Sequence, residues 1–426
     1  MFNALRRKAD LYRFLYLHRR KAALIEKWQG EQLRILMAHA MYNVPLYKEL
    51  YLAARVHFSD LQTLSDIRKL PLTHKDLFLG RPAEEITRGD RRIPRKWKKS
   101  SGSTGKPRAA LMSSAFESNF YANFACFRFL LGTVITPRAF RDIRIAHINL
   151  QSAPRKGHLF TTITEFLADP DGVLQKITAH RPQVIASFPS VLLEVAKRLG
   201  ENPNLLPEKP RYASSFGEML TPSTRHEIEE KLGCEVFDRY GATEIGAAAS
   251  ECRQHNGMHI HSESAIVEIL NEKNETVPSG VRGKVVVTDL LNYNMPFIRY
   301  EIGDYGRLSY ERCPCGQETP RLWLEGRFTA NLVFGEKVIN HIEFEGVFDD
   351  LVNAVLQYRV IKVADDELHA ELIPGPAYRS IVEQKIIRRV QKLIGPNVRI
   401  RVAVVHALPR TLRGKSQIIN DHSLAV

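Results

Sequence analysis

In the first fifty residues the apolar positions fall three and four apart. Leu33, Leu36, Met37, Ala40 and Met41 form one stripe, the spacing of an amphipathic helix. This predicts a helical lead-in over residues 1–55, with Pro45-Leu46-Tyr47 closing the run. From Ile143 the pattern changes. Ile143–Ile148 and Val184–Phe188 are short apolar runs that predict buried strands, and Glu235–Asp238 predicts another that leads into Tyr240. Helical periodicity occupies Gly172–His180, Pro189–Leu199 and Ser223–Leu232. Strands that alternate with helices in this way predict a parallel α/β sheet.

A third texture begins at Ala265. Short strands are predicted at Ala265–Leu270, Gly283–Thr288 and Gly306–Tyr310, with turn chemistry at Asn271–Glu275 and Pro278-Ser279-Gly280. This is an antiparallel β subdomain at about 250–325. After Gly326-Arg327 a smaller α+β unit follows. Its predicted strands are Tyr358–Ala364, Glu367–Leu372 and Val398–Val405, and its helices His341–Leu356 and Tyr378–Ile394. A chain of 426 residues is too long for one core. The expected fold is α/β: an N-terminal domain over 1–327 with a parallel sheet and a β subdomain, then a small α+β C-terminal domain over 328–426, the boundary lying near Arg327–Asn331.

Charge narrows the partners. The formal net charge of +14 suits nucleic acid, an anionic membrane surface or anionic small molecules. The densest basic run is Arg88–Lys99, where Trp97 is the one aromatic residue. That is thin support for stacking on a nucleic-acid strand, and a solvated basic loop accounts for the run equally. No apolar run is long enough for a membrane span; Phe124–Ile135 is short and carries Arg128. The basic N-terminus lacks a signal-peptide core, so a cytoplasmic protein is expected.

Two groups of residues carry candidate chemistry. Ser100, Ser101, Gly102, Ser103, Thr104, Gly105 and Lys106, followed by Pro107, form a loop rich in hydroxyls and glycine. Such a loop can cradle phosphate oxygens, and its lysine adds a point charge. It lacks the Walker spacing, because no hydroxyl follows Lys106; a flexible linker would have the same composition. Five cysteines are too few for a disulfide scaffold. Cys252 and His259 are separated by six residues, and Cys313 and Cys315 form Cys-x-Cys. Three thiolates and one imidazole would complete a tetrahedral zinc site. His261 is a competing ligand, and each cysteine could instead be a small buried hydrophobe, the reading given to Cys126 and Cys234.

Three further motifs follow the Ser/Gly loop in order: Tyr240-Gly241-Ala242-Thr243-Glu244, Arg299-Tyr300-Glu301-Ile302-Gly303-Asp304, and Pro409-Arg410-Thr411-Leu412-Arg413-Gly414-Lys415. Together they resemble the core motifs of the adenylate-forming superfamily. Leu70-Pro71-Leu72-Thr73-His74-Lys75, Met295-Pro296-Phe297-Ile298-Arg299-Tyr300 and Cys313-Pro314-Cys315-Gly316 are similar to its phenylacetate-CoA ligase-like branch. Members of that branch carry a Glu-Cys…Gly-x-His segment, matched here by Glu251-Cys252…Gly257-Met258-His259, which supports the zinc reading.

The resemblance implies a carboxylate-activating ligase that uses ATP and Mg²⁺, makes an acyl-adenylate, in this branch an aryl one, and then transfers the acyl group to CoA. It implies that the Ser/Gly loop holds the β- and γ-phosphates, Thr243 the α-phosphate, Glu244 magnesium, and Asp304 the ribose. Gly217-Glu218 and Tyr240-Gly241 would line the nucleotide site, Arg327 would reach phosphate or ribose from the hinge, and Lys415 would bridge carboxylate and α-phosphate. It also implies that the C-terminal domain is a mobile lid. Relatives carry a charged pivot where this chain has Thr329, which puts the second half-reaction in doubt. A carrier-protein thiol or an amine is therefore an alternative acceptor, and a zinc-containing basic nucleic-acid-binding protein is the alternative of a different class.

Overall fold

The computed structural model describes residues 22–88, 96–99, 109–112, 143–149, 157–327, 332–335, 337–339, 341–348, 350–351, 354–406, 408–409 and 419–421. The chain divides into two compact units. One holds Met1–Thr136 with Arg239–Leu324, the other Pro137–Asp238 with Glu325–Val426.

In chain order, β1 (Thr73–His74), β2 (Lys96–Lys99) and β3 (Ala109–Met112) are followed by β4 (Ile145–Asn149), β5 (His158–Thr162), β6 (Val184–Ser187) and β7 (Tyr212–Phe216). Next come β8 (Glu235–Ala242), β9 (Gly246–Glu251), β10 (Met258–Ile260), β11 (Ala265–Leu270), β12 (Gly283–Asp289), β13 (Tyr300–Ser309) and β14 (Arg321–Arg327). The last strands are β15 (Leu332–Phe334), β16 (Lys337–Ile339), β17 (Val355–Ala364), β18 (Glu367–Pro374), β19 (Arg399–Val404) and β20 (Ile419–Asp421).

In the first unit the strand order is β11–β12–β13–β14–β10–β9–β8, with β1 parallel to β13. Pairing is antiparallel for β11–β12, β12–β13, β10–β14, β9–β10 and β8–β9. The expected β subdomain is therefore present. Helices α1 (Ala22–Asn43) and α2 (Pro45–Ala53) supply Leu33, Leu36, Met37, Leu46 and Tyr47 to a core shared with Ile266, Val285, Val287 and Tyr300. From Ala22 the lead-in is helical, residues 1–21 of the expected stretch lying outside the described residues, but Pro45 does more than end the first helix. It opens the second at its first turn, where a missing N–H costs nothing.

In the second unit β4, β5, β6 and β7 are parallel, in the order β7–β6–β4–β5. Helices α3 (Pro170–His180), α4 (Pro189–Glu201) and α5 (Pro222–Leu232) bury Leu174, Ile177, Leu192, Val195 and Ile228 against Ile148 and Ile185. Each of these helices opens on proline. Asp169 caps α3 by accepting from the Gly172 N–H at 2.9 Å, and Thr221 caps α5 by accepting from the Thr224 N–H at 3.1 Å. The chain after Leu332 has its own core, built from Phe344, Val360, Leu368, Leu372, Val390 and, on α6 (Ser380–Ile394), Ile386.

Two predicted elements differ. The helix expected over His341–Leu356 ends at Phe348, and β17 starts at Val355. Val355 pairs with Pro374 of β18, and that pairing, continued along the strand, overrides local helix preference. The strand expected at Gly306–Tyr310 instead runs from Tyr300, straight through Gly303-Asp304.

The last residue of β12 is a buried acid. Asp289 Oδ1 accepts from the Leu291 N–H at 2.8 Å, while its Oδ2 has no hydrogen-bond partner among the described residues. Burial pushes its carboxyl up to about 8, against about 3.9 in an unfolded chain. Between those values the folded state holds one proton more than the unfolded state. Stability from this group therefore falls as pH rises through the window, by up to about 1.4 kcal/mol per pH unit. Asp289→Asn keeps the acceptor and removes the titration. The variant is expected to melt above wild type at pH 7.5 and to converge with it near pH 4, checked by thermal denaturation across that range. Parallel pH profiles would contradict this account.

Candidate active site and metal centre

The Tyr240 motif lies on the β8–β9 hairpin. Residues Thr243–Ile245 form its turn, closed by the pair Ala242↔Gly246. Thr243 is half-buried and Glu244 is buried. The register shifts between Tyr240 and Gly241, so one residue of β9 is extra there. Gly241 is obligatory: a Cβ on it would lie 2.1 Å from the Gly246 carbonyl oxygen. The hairpin thus holds its backbones too close for any side chain at that point, and the turn that presents Thr243 and Glu244 is fixed by it.

Asp304 occupies an irregular stretch of β13. Lys284 pairs with Tyr305 and Val286 with Glu301, so β13 has two more residues than β12 between those pairs. Gly303, at φ 88°, absorbs the excess in the left-handed region. Bulges of this kind bend a strand and re-aim a side chain. Here the bulge brings Asp304 Oδ2 within 2.7 Å of the Tyr240 hydroxyl, which donates to it. Two motifs 64 residues apart in sequence thus meet in one buried hydrogen bond.

The branch-specific phrases pack around the start of the same strand. Thr73 N–H donates to the Arg299 carbonyl at 2.9 Å and Thr73 Oγ1 to the Ile298 carbonyl at 2.8 Å. Arg299 makes a buried bidentate pair with Glu268, Nη2 to Oε1 at 3.0 Å and Nε to Oε2 at 3.1 Å. Its Nη1 donates to the Leu70 carbonyl at 2.6 Å. The Leu-Pro-Leu-Thr step therefore leads into β1, which lies beside β13, and it is anchored by Arg299. Sequence reasoning quoted Arg299 within two motifs but gave it no role, and it missed Glu268, whose one signal is a charge within the otherwise apolar β11.

In the second unit, Gly217 follows β7 at φ 79°, and Glu218 Oε2 accepts from the Ser190 N–H at the start of α4 at 3.1 Å. Ser215 donates to Asp238. The Ser100–Lys106 loop, Thr329 and Lys415 lie outside the described residues. The backbone of Arg327 ends β14; its side chain lies outside them also.

The four zinc-ligand candidates converge in the first unit. The ligand atoms of Cys252, His259, Cys313 and Cys315 all lie within 4.8 Å of one another. Cys252 Sγ is 3.8 Å from Cys313 Sγ, and Cys315 Sγ is 3.3 Å from His259 Nε2. Cys252 follows β9, His259 is on β10, and the other two sit on the β13–β14 connection. The imidazole is oriented by Thr319: its Nδ1 lies 3.2 Å from the Thr319 carbonyl and 3.1 Å from Thr319 Oγ1. A backbone carbonyl at Nδ1 fixes the tautomer that points Nε2 at the thiols. His261 does not join the group; its Nε2 is 2.9 Å from Ser250 Oγ. The donor set, three sulfurs and one nitrogen with a second-layer acceptor, fits a tetrahedral zinc ion. The hydrogen bond to Cys315, reinforced by burial, pushes the Cys252 thiol up to about 11 and lowers that of Cys315. Cys234, read as a core residue, is buried.

The chain resembles known proteins along most of its length. A sequence model of the AMP-binding enzymes matches residues 100–290. Phenylacetate-coenzyme A ligase of Pseudomonas putida is 29% identical, over 94% of this chain and 95% of its own length. The Thermus thermophilus enzyme of the same name is 25% identical over 92% and 95%. Among solved structures, 2-hydroxyisobutyryl-CoA ligase in the postadenylation state superposes with a TM-score of 0.79 at 20% identity, covering 96% of this chain and 92% of that one. No described helix is long and apolar enough to cross a membrane. Four motifs in order, two of them joined by the Tyr240–Asp304 bond, and relatives matched along nearly their full length lead to one reading: residues 100–290 match the AMP-binding enzymes, and the chain as a whole is similar to the phenylacetate-CoA ligases.

Proposed function

We propose that this protein is an AMP-forming acid–thiol ligase. In the first step a carboxylate oxygen attacks the α-phosphorus of ATP, the bond to pyrophosphate breaks, and an acyl-adenylate forms. In the second the CoA sulfur attacks the acyl carbon and AMP leaves. The observation that carries the reading is the meeting of Tyr240 and Asp304. It brings two nucleotide motifs together on the hairpin that also presents Thr243 and Glu244.

Negative charge concentrates on the phosphates in the first transition state, so placed donors and cations supply most of the acceleration. Thr243 would donate to the α-phosphate, and Asp304 would accept from the ribose hydroxyls. Gly217 and Glu218 would line the adenine side, and Arg327 would reach phosphate or ribose. The Ser100–Lys106 loop would hold the β- and γ-phosphates. Lys415 would bridge the carboxylate and α-phosphate, a task suited to a compact ammonium on a flexible stem. Glu244, a buried carboxylate on a fixed turn, suits Mg²⁺, a hard cation that takes oxygen ligands and neutralises phosphate charge when bound. Zinc would be structural, held by Cys252, His259, Cys313 and Cys315.

CoA is the acceptor favoured here, because the full-length relatives are CoA ligases. A net charge of +14 suits the phosphates of both ATP and CoA, and a cytoplasmic setting would supply them. An arylacetic or other aryl acid is the proposed substrate class. The test is product analysis after incubation with ATP, Mg²⁺, CoA and a panel of aryl and alkyl acids. Acyl-CoA and AMP should appear together in equal amounts. AMP formed without acyl-CoA, but with acyl-hydroxamate trapped by hydroxylamine, would point to another acceptor.

A further inference from the structure

We infer that Tyr240 is a positioning residue that sets how strongly the enzyme distinguishes ATP from nucleotides without ribose hydroxyls. The inference rests on the ligase reading and on the assignment of the ribose to Asp304. Asp304 stands on the bulge after Gly303, where ladder pairing to β12 is interrupted and backbone regularity no longer dictates the carboxylate's orientation. The phenol contributes directly to that orientation. Its hydroxyl donates to Oδ2 at 2.7 Å, and the two residues are 7% and 9% exposed. A hydrogen bond to an ionised acceptor is stronger than one between neutral groups, and burial strengthens it further.

Tyr240 is also rigidly sited. It precedes Gly241, whose closeness to Gly246 locks the hairpin, and it packs in the apolar core of its unit. The bond therefore references the Asp304 carboxylate to the same hairpin that presents Thr243 and Glu244. A carboxylate that swings out of register could still accept a hydrogen bond from water, but it would no longer meet the ribose hydroxyls of a nucleotide held by that hairpin. The phenol acts through Asp304, so its contribution should be felt only by nucleotides that carry those hydroxyls.

The experiment measures carboxylate-dependent pyrophosphate exchange by the full-length protein with ATP and with 2′,3′-dideoxy-ATP, for wild type, Tyr240→Phe, Asp304→Asn and the double variant. Wild type should prefer ATP. Tyr240→Phe should shrink that preference by about tenfold or more, the loss arising in KM for ATP rather than in kcat. Asp304→Asn should shrink it at least as far, and the double variant should lose little more, because the two groups act as one unit. A Tyr240→Phe variant that loses the same factor with both nucleotides would overturn the inference, as would additive losses in the double variant. Should Tyr240→Phe not fold, an Asp304→Asn variant that keeps the wild-type preference would overturn it alone. Wild-type exchange without nucleotide preference overturns the inference and leaves the ligase reading standing; absence of exchange with every acid removes both.

Discussion

Lys415→Ala is expected to lower acyl-adenylate formation by ~10²–10³-fold or more, the effect of removing one well-placed electrostatic contact from a charged transition state. The proposed ammonium touches both reacting partners, the carboxylate that attacks and the α-phosphate that is attacked. It is therefore worth more in the transition state than in either bound substrate. Binding of ATP should change little, since on the proposed roles the phosphates would keep the Ser/Gly loop and Thr243. Rapid-quench measurement of acyl-adenylate in the absence of CoA isolates the step. Normal adenylate formation by the alanine variant would remove Lys415 from the reaction.

Loss of the metal is expected to act on stability. Purified protein should contain about one zinc per chain, because the four proposed ligands form one four-coordinate site. The site would clip the β9–β10 connection to the loop between β13 and β14, so the ion is bound only by the folded chain. At a free metal concentration about a thousandfold above Kd such binding contributes about 4 kcal/mol, which corresponds to roughly 8–16 °C in melting temperature for a unit of this size. A strong chelator, or Cys313→Ser, should lower the melting temperature by about that amount. Thr319→Val keeps the carbonyl but removes the second partner of His259 Nδ1 and should weaken zinc binding by about 10-fold or more. Ligand thiols must lose protons on binding, so affinity should rise with pH. Folded, metal-free protein whose melting temperature ignores the chelator would rule the site out.

Much of the scaffold was legible in sequence because its signals are local. Apolar periodicity gives the buried faces of α3, α4 and α5, and α4 starts at Pro189 as expected, whereas α3 and α5 start on Pro170 and Pro222, two residues and one residue before the expected bounds. The extended part of β13 was not legible. Gly303 is a strand breaker in isolation, and only pairing with β12, through a bulge, carries the strand across it. The premature end of the His341 helix has a similar origin, in strand pairing that lies outside the helical segment. Site residues were legible as types in order, whereas their geometry was not. Nothing local in Tyr240 or Asp304 announces their hydrogen bond, nor does Arg299 announce its reach to Leu70. The resemblance picked His259 over His261 in sequence, but its orientation rests on Thr319, a neighbour 60 residues away in sequence.

Exchange of labelled pyrophosphate into ATP, without CoA and across a panel of aryl and alkyl acids, tests the central claim most directly, because only a reversible adenylation scrambles that label. The account predicts exchange that requires Mg²⁺ and one class of carboxylic acid, with aryl acids foremost, and that is lost in Lys415→Ala. Well-folded protein that catalyses no exchange with any acid of the panel, while binding ATP, would contradict it.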